Sequence, residues 1–319
     1  MLFWKASCLL SALSIASAKL TWGTTQFLFT FGDSYTTDGF NISAGVDSPV
    51  PGFVGARFAA ITTHFLTPSV LGQTSSNGPN WVQFLGATYN VTNTKVFNLA
   101  SGGATIDAAL VPPYEPTVLS IVDQVQQFHE ILAPKPPGAE WDSSNSLFAF
   151  WIGINDVGNS FAWTNVTSQA AFHRVLMKRL FSQAEILYAD GARSFLFLTV
   201  PPTNRAPLIL EQGSQAVSAI TAALADYNAQ LAASVRAFAQ AHPDLDQVVV
   251  FDTRPVFNTL LDSADALGFV NSTGFCDAYQ NGTPGATTQV PPCAPVSSYC
   301  RDRNRTRNRR PVATVNSVI

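Results

Sequence analysis

Charge is scarce in this chain. Of 319 residues only 12% are Asp, Glu, Lys or Arg, against 46% hydrophobic. That balance excludes a disordered polyelectrolyte and fits a packed globular protein. Long apolar runs are missing too: no stretch is long enough to span a bilayer, so no membrane anchor is expected. Histidine and cysteine number four each. The basic residues that do occur are unevenly placed. Residues 301–319 hold six Arg and one Asp, so twelve basic against twenty acidic residues remain in the body, a net of −8 beside −3 for the whole chain. An acidic body speaks against a nucleic-acid partner.

The first 18 residues have the layout of a secretory signal. Lys5 gives a positive start, residues 8–15 form a short apolar core, and Ala16-Ser17-Ala18 is a small-residue cleavage site. Export to the extracellular space is therefore expected. It gives meaning to the Asn-x-Ser/Thr sequons at Asn41, Asn90, Asn165, Asn271, Asn281 and Asn304, each expected on an exposed loop. Without Cys8 of the leader, three cysteines remain, an odd number for an exported chain. Cys276 with Cys293 is the favoured disulfide, closing a Gly/Pro/Thr-rich loop and leaving Cys300 unpaired.

Five short apolar runs are expected as buried strands: residues 27–31, 95–99, 147–152, 194–200 and 247–252. Helical periodicity lies between them at 117–132, 168–190 and 215–241, with Gly191 as a C-terminal cap signal and His242-Pro243 as a stop. Alternating strand and helix predicts a parallel sheet covered on both faces. The expected organisation is a leader at 1–18, one domain over 19–300 and an aberrant basic tail at 301–319. Residues 54–73 interrupt an otherwise continuous loop. They read as a functional lid or, preferably, as an in-frame unspliced intron, since Val54 is encoded by GT-initial codons and Gln73 is compatible with CAG.

Three stretches carry the chemistry. Gly32-Asp33-Ser34 ends the first strand, and turn formers follow it. In open parallel sheets ligands bind at the carboxyl ends of strands, so Ser34 is a candidate nucleophile, against the bland reading of an ordinary turn. Asn98-Leu99-Ala100-Ser101-Gly102-Gly103-Ala104-Thr105 follows the second strand. Its glycines allow close backbone approach and can leave an N–H facing an oxyanion, though a tight strand-to-helix turn needs them equally. Gly153-Ile154-Asn155-Asp156 follows the third; Asn155 is either an amide donor to developing negative charge or an Asx turn capping the next helix.

In this order, Gly-Asp-Ser, Asn-x-x-Ser-Gly-Gly-Ala-Thr and Gly-Ile-Asn-Asp resemble the blocks of the GDSL/SGNH esterase family. Asn77-Gly78-Pro79-Asn80-Trp81-Val82 is similar to the secreted fungal carbohydrate acetylesterases among them. The resemblance implies a three-layer α/β/α doubly wound fold with about five parallel strands, flavodoxin-like in layout. It implies an acyl-enzyme mechanism without metal or cofactor. It also implies Ser34 as nucleophile, and an oxyanion hole from Ser34 N–H, Gly103 (or Gly102) and Asn155. The substrate implied is an acetylated carbohydrate or other small ester, with Tyr35 or Trp81 able to stack on a sugar ring.

One block departs. The family draws its base from Asp-x-x-His near the C-terminus, but here the chain reads Asp302-Arg303-Asn304-Arg305. Arg stays protonated and cannot take the serine proton. His129 and His173 fall on helices and are expected at the surface or between helices; His242 marks a helix end, and His64 lies in the insert. A frameshift or missed splice junction explains the tail better than an anion-binding role does. Two outcomes are open: an esterase lineage impaired as written, or a non-catalytic carbohydrate-binding pseudoenzyme.

Overall fold

The computed structural model describes residues 19–46, 74–75, 79–267, 269, 272–279 and 288–295. The leader, the 54–73 insert with His64, Cys300 and the basic tail lie outside the described residues. Five strands form one parallel sheet: β1 (Phe27–Gly32), β2 (Lys95–Asn98), β3 (Ser146–Trp151), β4 (Ser194–Leu198) and β5 (Gln247–Phe251), in the order β2-β1-β3-β4-β5. All five runs expected from sequence are present, ending within two residues of their expected bounds. The helices are α1 (Trp81–Gln83), α2 (Ile121–Gln127, continued by a wider turn to Leu132), α3 (Ile154–Ser160), α4 (Gln169–Ala189), α5 (Pro207–Leu210), α6 (Ser214–Ala241) and α7 (Arg254–Asp262).

The strands are apolar runs because a central parallel strand is buried on both faces. On one face phenylalanines align across the register. Phe97, Phe29, Phe148 and Phe195 make one row with centroids 4.9–5.8 Å apart, and Phe31, Phe150 and Phe197 a second at 4.8 and 5.3 Å. Phe128 and Trp141 close on this face beside Phe29, and Phe181 and Phe238 beside Phe197 and Phe195. The opposite face is smaller: Leu28, Val96 and Ala149 pack with Val82 of α1. Coverage is incomplete at the edge, where Val249 and Phe251 of β5 stay exposed among the described residues.

Helix ends follow local chemistry. Ser120 caps α2 and Ser168 caps α4, while Gly191 takes φ +112° behind α4 and lets Ala192 N–H reach Leu187 O. The Cys276–Cys293 disulfide is present. The sheet order has a consequence for function. From β2 the chain crosses back over β1 to make β3, so the switch point lies between β1 and β3, where ligands bind in open α/β sheets.

Candidate active site

The turn bearing Ser34 is built by four hydrogen-bonding side chains and one glycine. A Cβ on Gly32 would stand 2.5 Å from Trp151 O on β3 and 2.9 Å from Thr36 Oγ1, so the close strand approach demands glycine. Gln124 of α2 clasps the Gly32 peptide, its Oε1 accepting from Gly32 N–H and its Nε2 donating to Gly32 O, both at 2.9 Å. Asp33 O accepts from Thr36 and Thr37 N–H, and Asp33 Oδ1 from Tyr35 N–H, which closes the chain around Ser34. Asn98 Nδ2 then donates to Thr36 O (2.6 Å), and Asn80 Nδ2 to Thr36 O and Thr37 O (2.8 and 2.9 Å). Ser34 is enclosed, with 3% of its surface exposed.

The glycine loop lies against this turn. Ser101 N–H donates to Gly32 O, and a Cβ on Gly102 would be 3.8 Å from Thr37 Cγ2. Gly103 takes φ +84° beneath the ring of Tyr114, where any Cβ would sit 2.2 Å from a ring carbon. Only glycine meets both demands. The third loop turns at Gly153, φ +119°, whose Cβ position is filled by the Tyr227 ring; Tyr227 Oη donates to Ile152 O at 3.2 Å. Asn155 is therefore not an Asx turn ahead of the helix. It lies inside α3, buried, and its Nδ2 donates to Ala104 O at 2.8 Å, next to Gly103. An amide nitrogen carries two N–H groups, so one is left for another acceptor. Asp156 fastens the same loops from behind, accepting from Ile106 N–H at 3.0 Å.

Thus loops from three adjacent strands meet, and hydrogen bonds link Ser34's turn to the glycine loop and the glycine loop to Asn155. Asn80, Asn98, Gln124 and Asp156 are the positioning residues that sequence reasoning did not single out. Asn98 and Asp156 sat within the motif blocks and Asn80 within the Asn-Gly-Pro-Asn-Trp segment. Gln124 gave no signal beyond a polar position on a helix.

The electrostatics are those of a dry site. Burial pushes the Asp33 carboxyl up to about 8; the Tyr35 N–H pulls it down, and the neighbouring Asp156 carboxylate pushes it further up. Burial likewise takes Asp156 to about 7, opposed by Ile106 N–H, and Asp38 to about 6, opposed by Asn98. Tyr35, a candidate for sugar stacking, is instead buried at 7% exposure with its ring 5.0 Å from Trp151. Half-buried Trp81 donates its indole N–H to Thr36 Oγ1. Both support the turn from inside, packed in the aromatic cluster around Trp151.

The three described histidines each face a carboxylate. His129 Nδ1 lies 2.9 Å from Asp190, and His242 Nε2 2.9 Å from Glu185. Both pairs stand at the amino ends of the strands, opposite Ser34. His173, in the first turns of α4, is fully buried between α4 and α6. Its Nδ1 is 2.6 Å from Asp226 Oδ2 and its ring packs edge-on against Tyr227. Asp302 and Arg305 lie outside the described residues. Among the described residues, no cluster of His, Cys, Asp or Glu could hold a metal ion, and no helix is long and apolar enough to cross a membrane.

A serine turn at the switch point of a five-stranded parallel sheet, flanked by a glycine loop and an Asn-Asp helix start, is the layout of an SGNH-type ester hydrolase. The sequence model of the GDSL-like lipase/acylhydrolase family matches residues 28–292, and the chain belongs to that family of carboxylic ester hydrolases. Over 250 residues, 78% of each chain, it is 40% identical to an acetylesterase of Thermothelomyces thermophilus. It is 26% identical to an acetylesterase of Hypocrea jecorina over 54% of this chain and 47% of that protein. A solved α/β-hydrolase enzyme from the metagenome of Lake Arreo is 17% identical and covers 74% of this chain and 81% of its own, with TM-score 0.40. The fold assignment rests on the sheet order itself.

Proposed function

We propose that this chain is a secreted esterase by lineage, built to remove acetyl groups from carbohydrate esters, with residues 19–300 forming its catalytic domain after loss of the leader. Ser34 Oγ attacks the ester carbonyl. The Ser34 N–H, the Gly103 (or Gly102) N–H and the second N–H of Asn155 receive the oxyanion. The alcohol leaves, and water releases acetate from the acyl-serine. Removing one such donor costs about 3–4 kcal/mol of transition-state stabilisation. The observation that carries the reading is the hydrogen-bonded meeting of the Ser34, Gly103 and Asn155 loops at the switch point. The acetyl group is suggested by the 40% identical acetylesterase.

As written, the chain has no family-like base. Arg305 stands where histidine is due, which favours a second reading, a carbohydrate-binding pseudoenzyme, for the literal sequence. Without its base, a serine hydrolase retains roughly 10³–10⁴-fold acceleration over water from binding and the oxyanion hole. The test measures acetate release from a small chromogenic ester by three proteins. These are the literal chain, a chain whose region after Ser298 is replaced by a family-like Asp-x-x-His ending, and that repaired chain with Ser34→Ala. Turnover only in the second supports an impaired esterase. Turnover surviving Ser34→Ala rejects the nucleophile, and fast turnover by the literal chain rejects the impairment.

A further inference from the structure

The three described sequons differ in what their asparagine does. Asn41 and Asn165 are exposed, on loops at the carboxyl edge of the sheet. Among the described residues, Asn41 uses only its Oδ1, which accepts from Ser43 N–H, and the Asn165 amide enters no hydrogen bond. Asn90 sits at the opposite edge, in the turn entering β2, and all of its amide is engaged. Its Nδ2 donates to Gly86 O at 2.7 Å and to Thr94 O at 3.1 Å. Its Oδ1 accepts from Thr92 N–H at 3.3 Å and from Thr94 N–H at 2.9 Å. The sequon hydroxyl is engaged as well: Thr92 Oγ1 donates to Thr25 O ahead of β1 and lies 2.8 Å from Thr94 Oγ1.

An N-linked sugar replaces one of the two Nδ2 hydrogens. At Asn90 that removes a donor from either Gly86 O or Thr94 O and brings a pyranose ring against the same backbone. An unpaired carbonyl in a part-buried turn is destabilising, and the turn sets the start of β2. We propose that the folded, exported protein carries N-glycans at Asn41 and Asn165 and none at Asn90, whose sequon is a structural clasp. Oligosaccharide transfer precedes folding, so the sorting acts on the product: chains modified at Asn90 fold poorly and are retained. This inference rests on the proposed export of the chain.

The full-length chain is produced in a glycosylating secretory host and taken from the medium. Its glycans are released by an amidase in heavy-oxygen water, which marks each formerly modified Asn as a heavy Asp. Peptide mass spectrometry should find the mark at Asn41 and Asn165 and unmarked Asn90. Asn41→Gln and Asn165→Gln should each remove one glycan from the intact mass. Asn90→Gln should leave the glycan number unchanged and lower the melting temperature. A mark at Asn90 comparable to that at Asn41 overturns the clasp, and unmarked Asn41 or Asn165 in secreted protein overturns the sorting. A chain that never reaches the medium refutes export and the inference with it, a result separate from any wrong pattern of marks.

Discussion

Two groups of acids, one around the Ser34 turn and one at the amino edge of the sheet, are held in opposite ways. At the carboxyl edge Asp33, Asp38 and Asp156 are buried around the Ser34 turn, with no cationic partner among the described residues; backbone N–H groups support them. At the amino edge Asp190, Glu185 and Asp244 face His129, His242 and Arg193, and every pair has a side chain about half exposed. The first arrangement fixes loop geometry at a desolvation cost. The second is screened by water and contributes little. The turn that positions Ser34 draws on the first kind; these three amino-edge pairs are of the second.

The largest expected effect of a single deleted side chain tests the rigid side. Asn98→Ala removes the donor to Thr36 O and the acceptor for Thr30 Oγ1 and Ala100 N–H. Buried groups left unpaired cost about 1–3 kcal/mol each, so a loss on the order of 3 kcal/mol is expected in urea denaturation. A loss below about 1 kcal/mol would show that the turn holds without its asparagine.

A second effect appears against pH. The folded Asp33 keeps its proton until about pH 8, while the unfolded chain gives it up near 3.8. The folded state thus binds more protons across that window, and stability falls as pH rises through it. Asp38 and Asp156 act in the same direction up to about 6 and 7. Melting temperature should therefore be higher at pH 5 than at pH 8, and Asp33→Asn, which keeps an oxygen for the Tyr35 N–H, should flatten the decline. An unchanged slope would remove Asp33 from the account.

Smallest of all, Glu185→Gln at the amino edge should shift the melting temperature barely beyond error, and any shift should vanish in molar salt. A substantial, salt-insensitive loss would mean that the two groups of acids are not so different.

The sheet was legible because central parallel strands are short continuous apolar runs, and α4 and α6 because they are long and periodic. Helix α7 was not: it has nine residues, begins at Arg254-Pro255 and buries only Phe257 and Leu261. The three site loops were legible as blocks because each needs a residue type that geometry dictates. Gly32, Gly103 and Gly153 are glycines where a side chain would collide with Trp151 O, Tyr114 or Tyr227. The tethers were less so. The reach of Gln124 to Gly32 spans 92 positions, and a polar residue on an amphipathic helix carries no mark of its partner.

Trp151 lends this architecture an optical handle. Its indole is buried at the end of β3 and hydrogen-bonded to Thr199 O, with Tyr35 5.0 Å and Trp81 6.1 Å away. Excitation of Tyr35 passes to Trp151, and the two indoles, crossed at 67°, couple as a chiral chromophore pair. The contribution of this cluster to near-ultraviolet circular dichroism and tryptophan emission therefore reports the order of the loop that carries Ser34, whether or not the chain can turn over an ester.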